Sequence, residues 1–175
     1  MRWTRAELTF MSFSSAHAVR TDLRPGDLGR VVTLHGTVYA SEYGFDITFE
    51  AYVAGPLAAF ALGGSRRERL WLAEDGDQLV GCAAIVAADP QVAQLRWFLV
   101  APGARRSGLG TRLLNEAIAF SRAADYDRVM LWTVSVLETA AGLYRAAGFR
   151  RCESVAAHRW GTSVTEERYE LLLRE

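Results

Sequence analysis

Cysteine is scarce in these 175 residues: Cys82 and Cys152 are the only two, far apart and both in strand-like runs. A disulfide-stapled domain needs more thiols in a shorter chain. Both therefore read as small core residues of a protein kept in a reducing, cytoplasmic compartment. Net charge is missing too. Twenty basic residues balance twenty acidic ones, which removes any bulk attraction to nucleic acid or to an anionic membrane and leaves Arg105-Arg106 as a local basic patch. No apolar run reaches the roughly 18–20 residues of a membrane span. Arg2, Arg5 and the small-residue Ala16-His17-Ala18 suggest a signal peptide, but Glu7 breaks the apolar region between them and Ser12, Ser14 and Ser15 dilute it. That stretch reads instead as a linker or an upstream start. His17 and His35 have no partners at metal-ligand spacing, so no metal site is expected.

Half of the residues are apolar, enough for the core of one domain. Residues 1–23 show no sustained period and are expected to form a poorly ordered extension, with a single domain over 24–175. The turn Arg24-Pro25-Gly26-Asp27 opens that domain. Gly29 to Leu34, with Val31-Val32, reads as a first strand, and His35 to Gly44 as a short helix. Asp46 is placed as the N-cap of a longer helix carrying Phe49, Val53, Leu57 and Phe60 on one face, stopped by Gly63-Gly64. Arg69 to Glu74 and Leu79 to Ala88 read as strands joined by Asp75-Gly76-Asp77. Asp89-Pro90 breaks the pattern before a strand over Val92 to Val100.

After Gly108, Leu109, Leu113 and Ala117 repeat at helical spacing, with Arg112, Glu116 and Arg122 turned outward. Val129 to Val134 is almost wholly apolar, as in a central strand covered on both faces. Leu137, Ala141 and Tyr144 share a helical face that Gly148 should cap. Phe149 to Ala157 and Val164 to Leu173 complete the pattern as an antiparallel pair around Gly161. The expected architecture is α/β, with a mixed, mostly antiparallel sheet of six to seven strands and about four helices.

The chemistry concentrates at Arg105-Arg106-Ser107-Gly108-Leu109-Gly110. Here a loop with two glycines opens onto a helix, aiming backbone N–H groups and the positive end of a helix dipole at one spot. Such a place suits a phosphate. It lacks the third glycine of a dinucleotide fingerprint and the Gly-Lys-Ser/Thr of a P-loop. Val100-Ala101-Pro102, then Arg105-x-x-Gly108-x-Gly110, then Leu131-Trp132-Thr133 and Leu143-Tyr144-Arg145-Ala146-Ala147-Gly148-Phe149 follow one another in an order that resembles the GNAT-type N-acetyltransferases. His35-Gly36-Thr37-Val38-Tyr39-Ala40-Ser41-Glu42-Tyr43-Gly44-Phe45-Asp46 and His158-Arg159-Trp160-Gly161 are similar to the acetyltransferase half of fusions with MarR-type winged-helix regulators. The short stretch upstream leaves no room for the DNA-binding half, which is expected to be absent.

The resemblance implies acetyl-CoA as co-substrate, with no metal. Main-chain groups from Arg106 to Thr111 would ring its pyrophosphate, with the Arg105 and Arg106 side chains adding charge. The strand Phe98-Leu99-Val100 would carry a bulge and pair with the pantetheine arm, presenting an N–H near Leu99 to the thioester oxygen. Tyr144 would be the general acid. Arg106 stands where members often have Gly, and Leu137 where many have an Asn that touches CoA. For the base, Glu42, Glu50, Glu138 and a water chain all stay open. Tyr39, Tyr43, Arg96 and Trp97 are candidate acceptor contacts. Strand alternation puts Arg96 and Trp97 on opposite faces, so that Arg96 inward favours a carboxylate and Trp97 inward a more apolar acceptor. His158 and Trp160 could close the acceptor pocket from the last hairpin, with a surface turn as the plainer reading. The expected activity is acetyl transfer to the amine of a small molecule or, second, of a protein; a non-catalytic acyl-CoA sensor is the alternative. Monomer and homodimer both remain open.

Overall fold

A computed structural model describes residues 17–174. The strands are β1 (Ala18–Arg20), β2 (Arg69–Asp75), β3 (Gln78–Ala87), β4 (Val92–Val100), β5 (Arg128–Val134), β6 (Arg150–Arg159) and β7 (Thr162–Leu172). They form one sheet in the order β1-β2-β3-β4-β5-β7-β6. All neighbours are antiparallel except β4 and β5. The helices are α1 (Asp27–Tyr43), α2 (Ile47–Gly63), α3 (Leu109–Ala123) and α4 (Glu138–Ala146). This is the mixed α/β architecture the sequence pattern predicts. One apolar cluster lies between the sheet and α3 with α4, and a second between the opposite face and α1 with α2.

Gly29 to Leu34 is not a strand. It is the first half of α1, whose later turns include the short helix expected after His35. The buried positions Val31, His35, Val38 and Tyr39 stand at i, i+4, i+7 and i+8, a helical stripe that the β-branched Val31-Val32 pair obscured. Gly26 starts this helix with a left-handed φ of 96°. β1 lies inside the stretch expected to be an extension, and residues 1–16 of that stretch lie outside the described residues. Its Arg20 bonds Asp27 at 2.6 Å and Glu74 at 3.0 Å, tying β1 to α1 and β2. Three residues are too few to show a period, which is why the sequence hid this strand.

Asp46 caps α2 as expected, accepting the amide of Thr48 at 2.9 Å. The last hairpin turns more tightly than expected, at Trp160-Gly161, both with positive φ. Through its carbonyl Trp160 accepts the Asp46 amide at 3.0 Å, so the hairpin tip is fastened to the start of α2.

Candidate functional site

β4 and β5 run side by side only through Val92–Gln94 and Arg128–Met130. Beyond that point they part, and β5 continues against β7 alone. From Leu95 to Val100 the β5-facing edge of β4 has no strand partner among the described residues. A cavity of about 600 Å³ fills the wedge, reaching from α1 and α2 across both strands to the start of α3 and to α4.

The wedge is opened by a bulge. Cys82 pairs with Leu99 while Ala84 pairs with Arg96, so β4 carries one extra residue opposite Ala83. Trp97 takes φ +47° there. The bulge resets the alternation of faces: Leu95 packs on the α3 side, Trp97 and Leu99 on the α1–α2 side, and Phe98 and Val100 again on the α3 side. Arg96 turns to the same side as Trp97, its guanidinium 5.3 Å from the Trp97 ring and 5.9 Å from that of Tyr52. The expectation that Arg96 and Trp97 exclude each other is therefore overturned, because it assumed an unbroken strand. Both line the cavity.

Cys82 sits beneath the bulge. Its thiol donates to the Trp97 carbonyl at 3.1 Å, faces the Leu99 amide, and is pushed up to about 12 by burial. It stays protonated and unreactive. Since Ala101 donates back to Val80 on β3 and Leu99 also faces β3, alternation turns the amides of Phe98 and Val100 toward the cleft. Those two flank the Leu99 position expected to supply the oxyanion donor.

At the other end a short 3₁₀ turn, Pro102–Ala104, leads into the loop. Arg106 has φ +61° and Gly108 φ +82°. Arg106 thus accepts the left-handed strain that glycine would avoid. A Cβ on Gly108 would meet no atom within 4 Å, so the space above it is open. Among the described residues no acceptor engages the amides of Arg106, Ser107, Gly108, Gly110 or Thr111, and the first bond of α3 runs from Arg112 to the Gly108 carbonyl. Ser107 Oγ donates to the Ala104 carbonyl at 2.7 Å and receives the Leu109 amide at 3.4 Å. Leu109 itself is core. A cluster of unsatisfied N–H groups at a helix start, with clear space in front, fits a diphosphate.

Arg105 points elsewhere. It grips both oxygens of Glu42 at 2.8 Å and donates through Nε to the Val100 carbonyl at 3.2 Å. This clasp joins the loop to the last turn of α1 beside the mouth of the cleft. Arg105 first, through hydrogen bonds and charge, holds the Glu42 carboxyl below its ordinary value, which weakens it as a base. Glu50 turns its carboxylate onto Gly36 of α1 and is not part of the cavity wall, whereas Glu138 lines the cavity from the first turn of α4.

Tyr144 lies on the floor of the cleft, its ring 5.8 Å from Phe98, 6.0 Å from Phe149 and 5.9 Å from Tyr169. Its hydroxyl has no hydrogen-bond partner among the described residues. Burial, reinforced by the phenols of Tyr39 and Tyr169, raises its pKa well above the ordinary tyrosine range. Tyr39 is shifted upward for the same first reason, and Tyr43, half-buried, moves the same way.

His35 is a lining residue that spacing arguments missed. It is 3% exposed, stacks on Tyr39 with rings 6.1 Å apart, and its Nδ1 lies 2.9 Å from the Val31 carbonyl. A carbonyl only accepts, so Nδ1 carries the proton and Nε2 is left as a lone-pair acceptor on a ring that lines the cavity. Burial lowers its pKa to about 4, so it is neutral at physiological pH. Its position one turn before Tyr39 on the face that Val31 begins was the available signal. Trp160, read as surface, forms a wall instead: its ring lies 5.0 Å from Phe45 and Phe49 and 5.3 Å from Tyr52. His158 is exposed. Leu137, at the start of α4, offers the cavity no polar group. Among the described residues no group of three or more His, Cys, Asp or Glu side chains could hold a metal, and no helix is long and apolar enough to cross a membrane.

Residues 38–149 match the model of the Acetyltransferase (GNAT) family. The uncharacterized N-acetyltransferase YsnE of Bacillus subtilis is 31% identical over 88 residues, a match spanning 49% of this chain and 58% of that protein. An acetyltransferase of the GNAT family from Staphylococcus aureus Mu50 superposes with a TM-score of 0.74 at 18% identity, over 91% of this chain and 100% of the other. The structure of yncA from Salmonella typhimurium with its cofactor acetyl-CoA gives 0.72 at 15% identity, over 91% and 95%. The family match spans the wedge, the loop and α4, where the geometry gathers its chemistry, and this chain belongs to the GNAT family of acetyltransferases.

Proposed function

We propose that the chain moves the acetyl group of acetyl-CoA to the primary amine of a small molecule by direct attack. The observation that carries this reading is the continuity of one cleft. It runs from unsatisfied helix-start amides, along an unpaired strand edge, to an aromatic chamber. The amides from Arg106 to Thr111 hold the pyrophosphate, with Arg106 adding charge. Phe98 and Val100 pair with the pantetheine arm through their main chain, and one of their amides faces the thioester oxygen as charge develops on it. The thioester supplies an activated acyl group and a thiolate leaving group.

Attack forms the new C–N bond and breaks C–S. Tyr144 gives its proton to the departing sulfur, and burial keeps the phenol protonated until then. Glu42 acts with Arg105 as a clasp rather than as the base, since both its oxygens are already occupied. The amine proton leaves to water in the cavity, and His35 Nε2, Tyr39 and Tyr43 orient the incoming nitrogen. A chamber walled by aromatic side chains favours a small molecule over a protein tail. A cytoplasmic setting suits a buried thiol at Cys82 and an exposed one at Cys152.

The test is calorimetry with acetyl-CoA, followed by thiol release across amino acids, polyamines, aminoglycosides and lysine peptides. Binding plus release is the expected result. Tight binding with no release across the panel makes the chain a sensor, and no binding refutes the cofactor reading altogether.

A further inference from the structure

We propose that the acceptor is an amine of the amino-acid type, bearing a carboxylate that Arg96 binds and an apolar body that rests against Tyr52 and Trp160. This rests on the acetyl-transfer reading above and adds to it the class of acceptor.

Two other charged side chains on the cavity wall are matched, Arg105 with Glu42 at 2.8 Å and Glu166 with Arg159 at 2.9 Å, while Arg106 and Glu138 line it from the loop and from the first turn of α4. Arg96 is half-buried, yet its guanidinium makes no hydrogen bond and no ion pair with any described residue. It lies over the faces of Tyr52 and Trp97, 5.9 Å and 5.3 Å from the ring centroids, which steady the plane of the fork and accept none of its five N–H donors. A guanidinium held against aromatic rings and short of acceptors is a receptor for a planar anion, and a carboxylate meets it with two parallel hydrogen bonds.

The bulge explains why the charge is there. Without the extra residue, Arg96 and Trp97 would face opposite sides of the sheet; with it, both face the chamber beside the unpaired edge that leads toward Tyr144. The walls around them are apolar, with Phe49 and Trp160 rings 5.0 Å apart. A polyamine or an aminoglycoside would bring a second cation up to Arg96 and repel it. A zwitterion with a hydrophobic side chain satisfies the charge and the walls together.

The test compares L-phenylalanine with L-phenylalaninamide and phenethylamine, which keep the amine and the ring but lose the carboxylate, using thiol release from acetyl-CoA. The expected kcat/KM for phenylalanine exceeds that for the amide by about 10- to 100-fold, the worth of one charge-assisted contact. Arg96→Gln should bring that ratio close to one, chiefly through KM, and Arg96→Lys should leave an intermediate ratio because it keeps charge without the fork. The wild-type ratio is itself a test that needs no variant to fold. Equal or better use of the amide or of phenethylamine overturns the proposal, as does an unchanged ratio in Arg96→Gln. Calorimetric uptake of acetyl-CoA without acetylation of any of the three overturns it while leaving the cofactor reading intact; no uptake brings down both.

Discussion

Tyr144→Phe isolates one hydroxyl. That group bonds to nothing among the described residues, and the ring contacts to Phe98, Phe149 and Tyr169 at 5.8–6.0 Å survive the change. Stability should therefore stay within about 0.5 kcal/mol of the wild type, because no partner is orphaned and no cavity of side-chain size is made. Binding of acetyl-CoA should also hold, since the cofactor contacts proposed here are main-chain groups of β4 and the loop. What disappears is a proton donor to the thiolate. General acid catalysis is worth roughly 10²–10⁴-fold, and a thiolate is already a fair leaving group, so the expected loss in kcat is about 100-fold, or about 2.7 kcal/mol of barrier. The assay is thiol release at saturating acetyl-CoA and acceptor, with calorimetric Kd and a denaturation midpoint as controls. Wild-type turnover in Tyr144→Phe, with chemistry shown to limit the rate, would remove Tyr144 from the mechanism. A fall in affinity to match the fall in rate would make it a structural residue of the cleft.

Gly108→Ala adds a methyl that meets nothing within 4 Å but must hold φ +82°. Stability should fall by about 1 kcal/mol, lowering Tm by about 2–4 °C. Acetyl-CoA affinity should drop by about tenfold or more because the methyl stands in front of the amides; unaltered affinity would disqualify the loop as the phosphate site. Acid should destabilise the fold in two stages. His35 is held at about 4 by burial against an ordinary 6.5, so the unfolded chain takes up its proton first, and up to about 3 kcal/mol of stability, complete above pH 6.5, is lost between pH 6.5 and 4. Asp27, held at about 2 chiefly by Arg20 against an ordinary 3.8, contributes stability above pH 3.8 that disappears as pH falls through 2. Urea midpoints measured from pH 7 to 3 should show the first stage in the wild type and lose it in His35→Gln; a flat profile between pH 6.5 and 4.5 would contradict the buried neutral ring.

The elements that sequence revealed best have strong punctuation. Asp46 and Gly63-Gly64 bracket α2, Asp75-Gly76-Asp77 turns the β2–β3 hairpin, and Gly108 opens α3. Where local and global signals disagreed, tertiary packing won. Val31-Val32 suggested a strand, but the longer stripe from Val31 to Tyr39 has helical period, and burial against the sheet follows the stripe. The bulge in β4 was implied only through family likeness, because one extra residue leaves no mark in a nine-residue run of mixed apolar and polar side chains. The clasp between Arg105 and Glu42 joins residues 63 positions apart, and no local pattern can announce such a pair. Trp160 looked like a turn residue because the contacts that make it a wall, with Phe45, Phe49 and Tyr52, come from distant segments.

The bulge places the proposed cofactor and acceptor contacts side by side. A tryptophan at φ +47° costs on the order of 1–3 kcal/mol and persists only where its surroundings over-determine it. Here they do: its carbonyl receives the Cys82 thiol at 3.1 Å, its ring meets Phe60 at 5.7 Å, and the side chain is 7% exposed. The same local kink unpairs the strand edge, turns the amides of Phe98 and Val100 toward the cleft, and swings Arg96 to the face of the aromatic chamber. A straight β4 would send Arg96 and Trp97 to opposite sides of the sheet. On the proposed reading, one inserted residue sets where the acyl group lies and which side chains face it, so a change of residue type at Arg96 should alter acceptor choice without changing acetyl-CoA affinity at the start of α3.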